Sequence, residues 1–118
     1  MQLSLNAQKI PNAIPFQGIA KDYNGNPVNE RKIYIQTSLI AGNILGKNIY
    51  TEEHETTTDA IGVFSVMIGN GRRTQGIIRT LAEINWEDGP FYLGIQLAIT
   101  PNAPLQNWQY QNNWINMG

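Results

Sequence analysis

Gly18-Ile19-Ala20-Lys21-Asp22-Tyr23-Asn24-Gly25-Asn26-Pro27-Val28 decides the fold, and residues 56–66 repeat its plan as Thr56-Thr57-Thr58-Asp59-Ala60-Ile61-Gly62-Val63-Phe64-Ser65-Val66. In each stretch a Gly follows an Asp by three positions, and apolar residues then resume an extended pattern. An Asp side chain can accept backbone hydrogen bonds within a turn, and Gly can adopt the positive φ that the reversal requires. Two such turns between extended segments predict a β-sandwich.

Alternation of side chains predicts the strands around these turns. A first strand is predicted over residues 16–22. Residues 32–41 place Ile33, Ile35 and Leu39 on one face, which predicts a strand with these side chains in the core. Residues 91–99 carry a stronger core face, made of Phe91, Leu93, Ile95, Leu97 and Ile99. Residues 63–68 are largely apolar on both faces, which predicts a central strand.

The segments between these strands have weaker patterns. Residues 48–58 are polar and rich in Thr, with neither face apolar, so we predict an edge strand whose charges deter pairing. Residues 69–76 contain three glycines and are predicted to form a mobile loop. Residues 80–84 are predicted to form one helical turn, because Thr80 as N-cap and Glu83 three positions later match a capping box. Trp86 is predicted to close one end of the core.

These segments predict an all-β fold, an Ig-like or transthyretin-like antiparallel sandwich of about seven strands with one short helical turn near 80–84. The 118 residues suit a single domain, which we assign to residues 14–99. Residues 1–13 are either a remnant of a secretory signal or a flexible lead-in, and the first is favoured. Residues 100–118 are either a further strand or a linker.

Composition excludes several classes of function. The net charge is −1, only 14% of residues are charged, and no cluster of basic residues offers a footprint for nucleic acid. No stretch approaches the ~20 apolar residues of a membrane span. The chain has no Cys, so it can form neither a disulfide nor a Cys-based zinc site. Asn, Gln, Thr and Ser give a neutral, hydrogen-bonding surface, which favours an exported protein.

The chain also resembles a family of N-terminal β-sandwich modules in secreted and surface proteins of the Bacteroidota. The resemblance rests on four colinear blocks, at residues 14–27, 50–54, 58–71 and 84–93. The second block, Tyr50-Thr51-Glu52-Glu53-His54, is similar to the family's Tyr-x-Glu-x-His, and the third includes Ile68-Gly69-Asn70-Gly71, similar to its Ile-Gly-x-Gly. The resemblance implies a non-enzymatic module that precedes fibrous regions at the cell surface. Residues 100–104, Thr-Pro-Asn-Ala-Pro, depart from the Gly-Gly-containing stretch of the family.

Three further groups are candidate sites. Asp22, Asn24 and Asn26 have the spacing that begins a calcium loop, but Pro27 stands at the sixth position where such a loop needs Gly, so a β-turn is favoured and Ca²⁺ stays a weak candidate. Glu52 and His54 point to the same side of a strand. Two ligands make a weak metal site, and no nucleophile motif accompanies His54, so we expect His54 and Tyr50 to make structural contacts.

The third group is aromatic and basic. Trp108, Tyr110 and Trp114, with Arg72 and Arg73, are candidate contacts for a protein partner or a glycan. The function predicted is a non-catalytic structural or adhesion module of a secreted or cell-surface protein, acting in protein–protein assembly or self-association. The alternative is a carbohydrate-binding module that uses exposed Trp and Tyr. Neither function requires a cofactor, nucleic acid or a membrane span, and no enzymatic activity is predicted.

Overall fold

The computed structural model describes residues 2–3, 13–43, 45–103 and 106–117. In this part of the chain eight strands and three 3-10 turns follow one another. The strands are β1 (Gln2–Leu3), β2 (Ile14–Ile19), β3 (Lys32–Ala41), β4 (Lys47–Thr57), β5 (Val63–Ile68), β6 (Arg72–Gly76), β7 (Phe91–Ile99) and β8 (Ile115–Asn116). The 3-10 turns are Leu81–Glu83, Trp86–Asp88 and Tyr110–Asn112.

The strands form two antiparallel sheets. The large sheet has the order β1-β7-β3-β4-β6, and β8 pairs with β7 beside β1. β3 lies at its centre, where Ile35 is the register partner of both His54 and Leu97. The small sheet contains β2 and β5, paired from Ile14 with Ile68 to Ile19 with Val63.

The core lies between the sheets and confirms the predicted fold class, an all-β antiparallel sandwich. β3 contributes Ile33, Ile35 and Leu39 to it, as its alternation predicts. The other buried strand residues include Leu93, Ile95 and Leu97 of β7 and Phe64, Val66 and Ile68 of β5. Each fully buried side chain of this kind stabilises the fold by about 1.5–3 kcal/mol. Trp86 is also buried and meets Phe91 edge-on, with ring centroids 5.3 Å apart.

The two Asp–Gly turns have the same geometry, as their sequences predict. Each Asp Oδ1 accepts the backbone N–H groups of the second and fourth residues after it, at 2.9 and 3.0 Å for Asp22 and at 2.9 and 2.8 Å for Asp59. Gly25 and Gly62 have φ angles of 82° and 89°, which disfavour other residues. The turns are neighbours in space, since the Ala20 N–H donates to the Gly62 carbonyl at 2.9 Å.

The prediction of an edge strand over residues 48–58 is wrong, because β4 lies between β3 and β6. Its outer partner is β6, which falls within the predicted loop at residues 69–76, so that loop prediction is wrong over residues 72–76. The β6 sequence, Arg-Arg-Thr-Gln-Gly, has no apolar alternation, and four of its five residues are exposed. β6 is held to β4 by the backbone ladder, for which sequence offers no signal.

The prediction that residues 63–68 form a central strand is also wrong. Within the described residues β5 pairs only with β2, and its second face, which carries Ser65 and Met67, is exposed. The first strand begins and ends earlier than predicted, at residues 14 and 19. The helical turn near 80–84 is confirmed as Leu81–Glu83 with its capping box. None of the described helical segments is long and apolar enough to span a bilayer.

The chain ends pair with the large sheet where the structure describes them. β1 and β8 both lie along β7, and the Met117 N–H donates to the Ile95 carbonyl at 3.0 Å. Residues 100–118 therefore include a short strand, one of the two predicted alternatives. This strand, β8, consists of Ile115 and Asn116. Of the predicted lead-in or signal remnant at residues 1–13, residue 1 and residues 4–12 lie outside the described residues.

Candidate functional site

Among the buried residues that the structure describes, Glu52 is the one with an ionisable acidic side chain. Its side chain is 0% exposed, although it lies on a strand that looks polar in sequence. Because side chains alternate along β4, Tyr50, Glu52 and His54 point to the same side, toward the small sheet. A buried carboxylate is unfavourable unless hydrogen bonds replace its hydration, so the partners of Glu52 decide its role.

The loop between β5 and β6 supplies those partners. The backbone N–H of Gly69 donates to Glu52 Oε1, and that of Gly71 donates to Oε2. His54 Nε2 lies 2.8 Å from Oε2. We call Glu52, His54, Gly69 and Gly71 the Glu52 clamp. It unites two blocks that are separate in sequence, residues 50–54 and 68–71, and it ties the large sheet to the end of β5.

Tyr50 completes the surroundings of the clamp. Burial raises the pKa of the Tyr50 phenol to about 12, with the charge of Glu52 and a hydrogen bond to it as further causes. Tyr50 and His54 thus make the structural contacts predicted for them. Among the residues that the structure describes, no group of three or more His, Asp or Glu side chains could hold a metal ion.

The weak calcium candidate lies in the first Asp–Gly turn. Asp22 Oδ1 already accepts the backbone N–H groups of Asn24 and Asn26, at 2.9 and 3.0 Å. All three residues belong to the turn between β2 and β3, and Asn24 and Asn26 are exposed. The geometry is that of the predicted turn.

Arg72 and Tyr110 meet at the outer side of β4. The Tyr110 hydroxyl donates to Glu53 Oε1 at 2.9 Å, and Arg72 Nη2 donates to the same oxygen at 2.7 Å and to the Tyr110 oxygen at 3.1 Å. The hydrogen bond to Glu53 raises the pKa of Tyr110. This triad attaches the C-terminal segment to the large sheet.

The tail aromatics stack around Tyr34, which lies on the same outer face as Glu53. The Tyr110 ring lies parallel to Tyr34, with centroids 4.1 Å apart and planes at 10°. Trp108 is tilted against Tyr34 at 6.3 Å, and Trp114 meets Tyr110 edge-on at 5.7 Å. We call Tyr34, Trp108, Tyr110 and Trp114 the tail cluster. Since Arg72 bonds to Tyr110, four of the five predicted contact residues lie together. They are Arg72, Trp108, Tyr110 and Trp114.

Arg73 is the fifth predicted contact residue and lies apart from the tail cluster. Its Nη2 donates to the Gly76 carbonyl at 2.6 Å, and its Nε donates to the Ile78 carbonyl at 2.9 Å. The guanidinium therefore holds the end of β6 against the segment that follows it.

Thr51, on β4, lies in the ladder between β3 and β6. The hydroxyl of Ser38, on β3, lies 3.0 Å from the Thr51 hydroxyl.

Beyond the tail cluster, the outer face of the large sheet contains a groove that sequence reasoning missed. Gly94 lies at its floor, with Gln36, Ser38 and Gln96 around it and Tyr92 beside it. The groove measures about 420 Å³, within the range of small-molecule sites of about 300–1,000 Å³. We call it the Gly94 groove. Its one sequence signal is a Gly in the middle of β7, whose other residues, except Gln96, are aliphatic or aromatic.

The outer face of the small sheet exposes apolar side chains at both of its ends. Ile19, on β2, is 46% exposed and pairs with Val63 of β5. Met67, on β5, is 43% exposed and pairs with Pro15 of β2. Ile61, in the adjacent turn, is exposed as well. The polar pair Gln17 and Ser65 lies between these two apolar pairs. Exposed apolar side chains gathered on one face are typical of an interaction surface.

A family model described as a domain of unknown function (DUF8740) matches residues 15–107. This range spans the sandwich from β2 to β7 and reaches the residue before Trp108. Neither the curated proteins nor the solved structures contain a match to the chain.

Proposed function

The chain belongs to the DUF8740 family, domains of unknown function, and we propose that it is a non-catalytic structural or adhesion module of an exported or cell-surface protein, acting in protein–protein assembly. The observation that carries this proposal is the open small sheet. A layer of two strands covers a much wider sheet, and within the described residues neither β2 nor β5 pairs with a further strand. At one end of β5 the Val63 N–H and carbonyl bond to Asp59, so the remainder of that edge is the part open to a neighbour.

β5 is the better of the two edges for such pairing. Its sequence, Val-Phe-Ser-Val-Met-Ile, has neither a charge nor a Pro, and within the described residues β2 is its one strand partner. β2 contains Pro15, which lacks a backbone N–H. An uncharged apolar edge strand is a template for adding a strand from another chain. A second copy of this chain can supply that strand, because β5 can pair with itself in an antiparallel register.

The side chains beside this edge favour the same use. Met67 and Ile19 add exposed apolar side chains at the two ends of the outer face, on either side of the polar pair Gln17 and Ser65. A shallow depression of about 480 Å³ lies there, lined by Pro15, Gln17, Ser65 and Met67 among others. An added strand would cover these side chains and remove their apolar area from water.

The chemistry-bearing residues support a structural role. Glu52 is satisfied by backbone N–H groups, Glu53 by Tyr110 and Arg72, and Asp22 by its own turn. The carboxylates of these three residues therefore hold a loop, the C-terminal segment and a turn, respectively. The low charge of the surface and the resemblance to Bacteroidota surface modules support an exported setting.

Carbohydrate binding by Trp108, Tyr110 and Trp114 receives less support. All three rings are half-buried, and they contact one another or Tyr34. A sugar ring needs an open aromatic face to stack on, and stacking within the chain uses these faces. The tail cluster is better suited to fixing the C-terminal segment.

Light scattering coupled to size exclusion tests the assembly role. We expect the full chain to shift from monomer to dimer or larger species as concentration rises, and Met67→Lys to weaken that shift by placing a charge in the interface. Ile77→Lys is the matched control, because Ile77 is 64% exposed and lies after β6, outside the small sheet. A chain that stays monomeric up to about 1 mM contradicts assembly through a second copy, and so does an equal effect of both substitutions.

A further inference from the structure

Gly94 lies in the middle of β7, where a glycine weakens a strand. Gly in a strand interior loses more conformational entropy than other residues and has no side chain to pack. Such a glycine usually marks a bulge, a sharp bend, or a place where another molecule or backbone approaches closely. The strand register, the φ angle and the space around Gly94 distinguish these cases.

The backbone explanations do not apply. The pairing of β7 with β3 runs in one register from Ile33–Ile99 to Ala41–Phe91, so Gly94 is not in a bulge. Its φ angle is not among the positive ones. A Cβ added at Gly94 would find its nearest described neighbours, Ile40 Cδ1 and the Ser38 carbonyl, at 3.9 Å, which is ordinary contact. The fold itself would accept a side chain here, and its absence is what opens the groove.

The floor of the groove carries two side-chain amides that are open to a ligand. Gln36 and Gln96 are register partners on β3 and β7, two positions from Ser38 and Gly94. Both are half-buried. Within the described residues neither side-chain amide makes a hydrogen bond, whereas the hydroxyl of Ser38 contacts Thr51. Two neighbouring amides offer donors and acceptors in pairs.

The lining also limits the class of ligand. The residues around the groove carry no charge, so it offers no charge-assisted partner to a phosphate, a carboxylate or an ammonium group. Tyr92 and Ile40, which face each other across the strands, add apolar surface along one side. Hydroxyl groups that donate and accept, next to an apolar C–H face, are the features of a neutral sugar ring.

We propose that the Gly94 groove binds a neutral oligosaccharide, with Gln36 and Gln96 hydrogen-bonding its hydroxyls and Tyr92 packing on a ring face. This site is separate from the tail cluster, which covers the part of the same outer face around Tyr34. It is also independent of assembly through the small sheet, which lies on the opposite side of the sandwich.

Nuclear magnetic resonance titration of the ¹⁵N-labelled full chain tests the proposal. The probes are cellohexaose, xylohexaose and mannohexaose at up to about 10 mM, which reveals even millimolar affinity. Hexagalacturonic acid and a neutral peptide rich in Ser and Thr serve as comparisons. We expect at least one neutral hexasaccharide to shift the amides of residues 36–40 and 92–96. Absence of shifts with all three, or shifts only with the acid or the peptide, overturns the proposal.

Variants locate the binding. Gly94→Val fills the groove with a residue that suits strands, and we expect it to weaken binding at least about tenfold. Gln96→Leu removes one amide and is the second variant, should Gly94→Val fold poorly. Gln17→Leu, on the small sheet, is the matched control and should bind as the native chain does, as should Met67→Lys. Unchanged affinity in both groove variants overturns the proposal, whether or not the chain self-associates.

Discussion

The backbone N–H of Gly71 donates to the buried carboxylate of Glu52. A Cβ at position 71 would collide with Glu52 Oε2 and would lie 2.6 Å from His54 Nε2 and 2.8 Å from the Glu53 carbonyl oxygen. The close approach of backbone to carboxylate therefore requires the absence of a side chain at this residue. The clamp joins the β5–β6 loop to β4 and so links the end of the small sheet to the large sheet.

Gly71→Ala is expected to destabilise the fold by about 3 kcal/mol, because an atom must be accommodated where none fits. The measurement is the free energy of unfolding in urea. Gly94→Ala is the matched control in an open position, where Ala should be neutral or stabilise by about 0.5 kcal/mol. Equal stability of Gly71→Ala and the native chain would show that the clamp does not hold the loop as described.

Glu52→Gln tests the charge and the acceptors of the clamp. The two side chains have similar shape, but Gln has an NH₂ group in place of one carboxylate oxygen. This NH₂ group would face a backbone N–H donor and could not accept its hydrogen bond. Leaving a buried donor without its acceptor costs about 1–3 kcal/mol, so we expect a loss of that size in urea unfolding. Glu55→Gln is the control. Glu55 is exposed and pairs with Lys32 at 2.5 Å, and its loss should cost less than about 1 kcal/mol.

The same clamp shows what sequence can and cannot predict. The spacing of Glu52 and His54 predicts that they share a face, which the structure confirms. Their burial could not be predicted, because the N–H groups that satisfy Glu52 come from residues 17 and 19 positions later in the chain. Without those partners a strand with Glu and His is more favourable at an edge, and this is the prediction that proved wrong.

Local signals were reliable where the cause was local. The alternation of residues 32–41 predicted β3 with its bounds, and the Asp and Gly of each turn predicted its hydrogen bonds. The formation of strand β6 and the position of Gly94 at the floor of a groove depend on contacts between segments that are distant in sequence, so local patterns do not predict them. The apolar composition of β5 led to the wrong prediction of a central strand. Composition indicates that a strand can be covered by neighbours, but it does not tell whether those neighbours belong to the same chain.

Tyr50 predicts a dependence of stability on alkaline pH. Its pKa is raised from 10.0 to about 12 in the folded chain, so the native state binds the phenolic proton more tightly than the unfolded state. The resulting stabilisation is fully present below pH 10 and is lost as the pH rises through about 12. Urea unfolding across this range should show a falling free energy, with a smaller slope in Tyr50→Phe. Tyr23→Phe, at a residue 84% exposed, should leave the slope unchanged.

The stacked pair Tyr34 and Tyr110 predicts that the tail stabilises the sandwich. A double-mutant cycle with Tyr34→Ala and Tyr110→Ala should give a coupling energy of about 1 kcal/mol, since stacked aromatic pairs contribute about 0.5–1.5 kcal/mol beyond their buried area. Tyr23→Ala replaces Tyr34→Ala in the control cycle, where the coupling should be near zero. A coupling near zero in both cycles would mean that the tail does not pack on the sheet in solution.

Hydrogen–deuterium exchange at several protein concentrations tests the central claim most directly, namely that the open edge of the small sheet is where the chain assembles. We expect amides of residues 63–68 to become more protected as the protein concentration rises, while amides of residues 72–76, on the edge of the large sheet, do not change. Protection that rises at residues 72–76 or in the tail, with residues 63–68 unaffected, would contradict it.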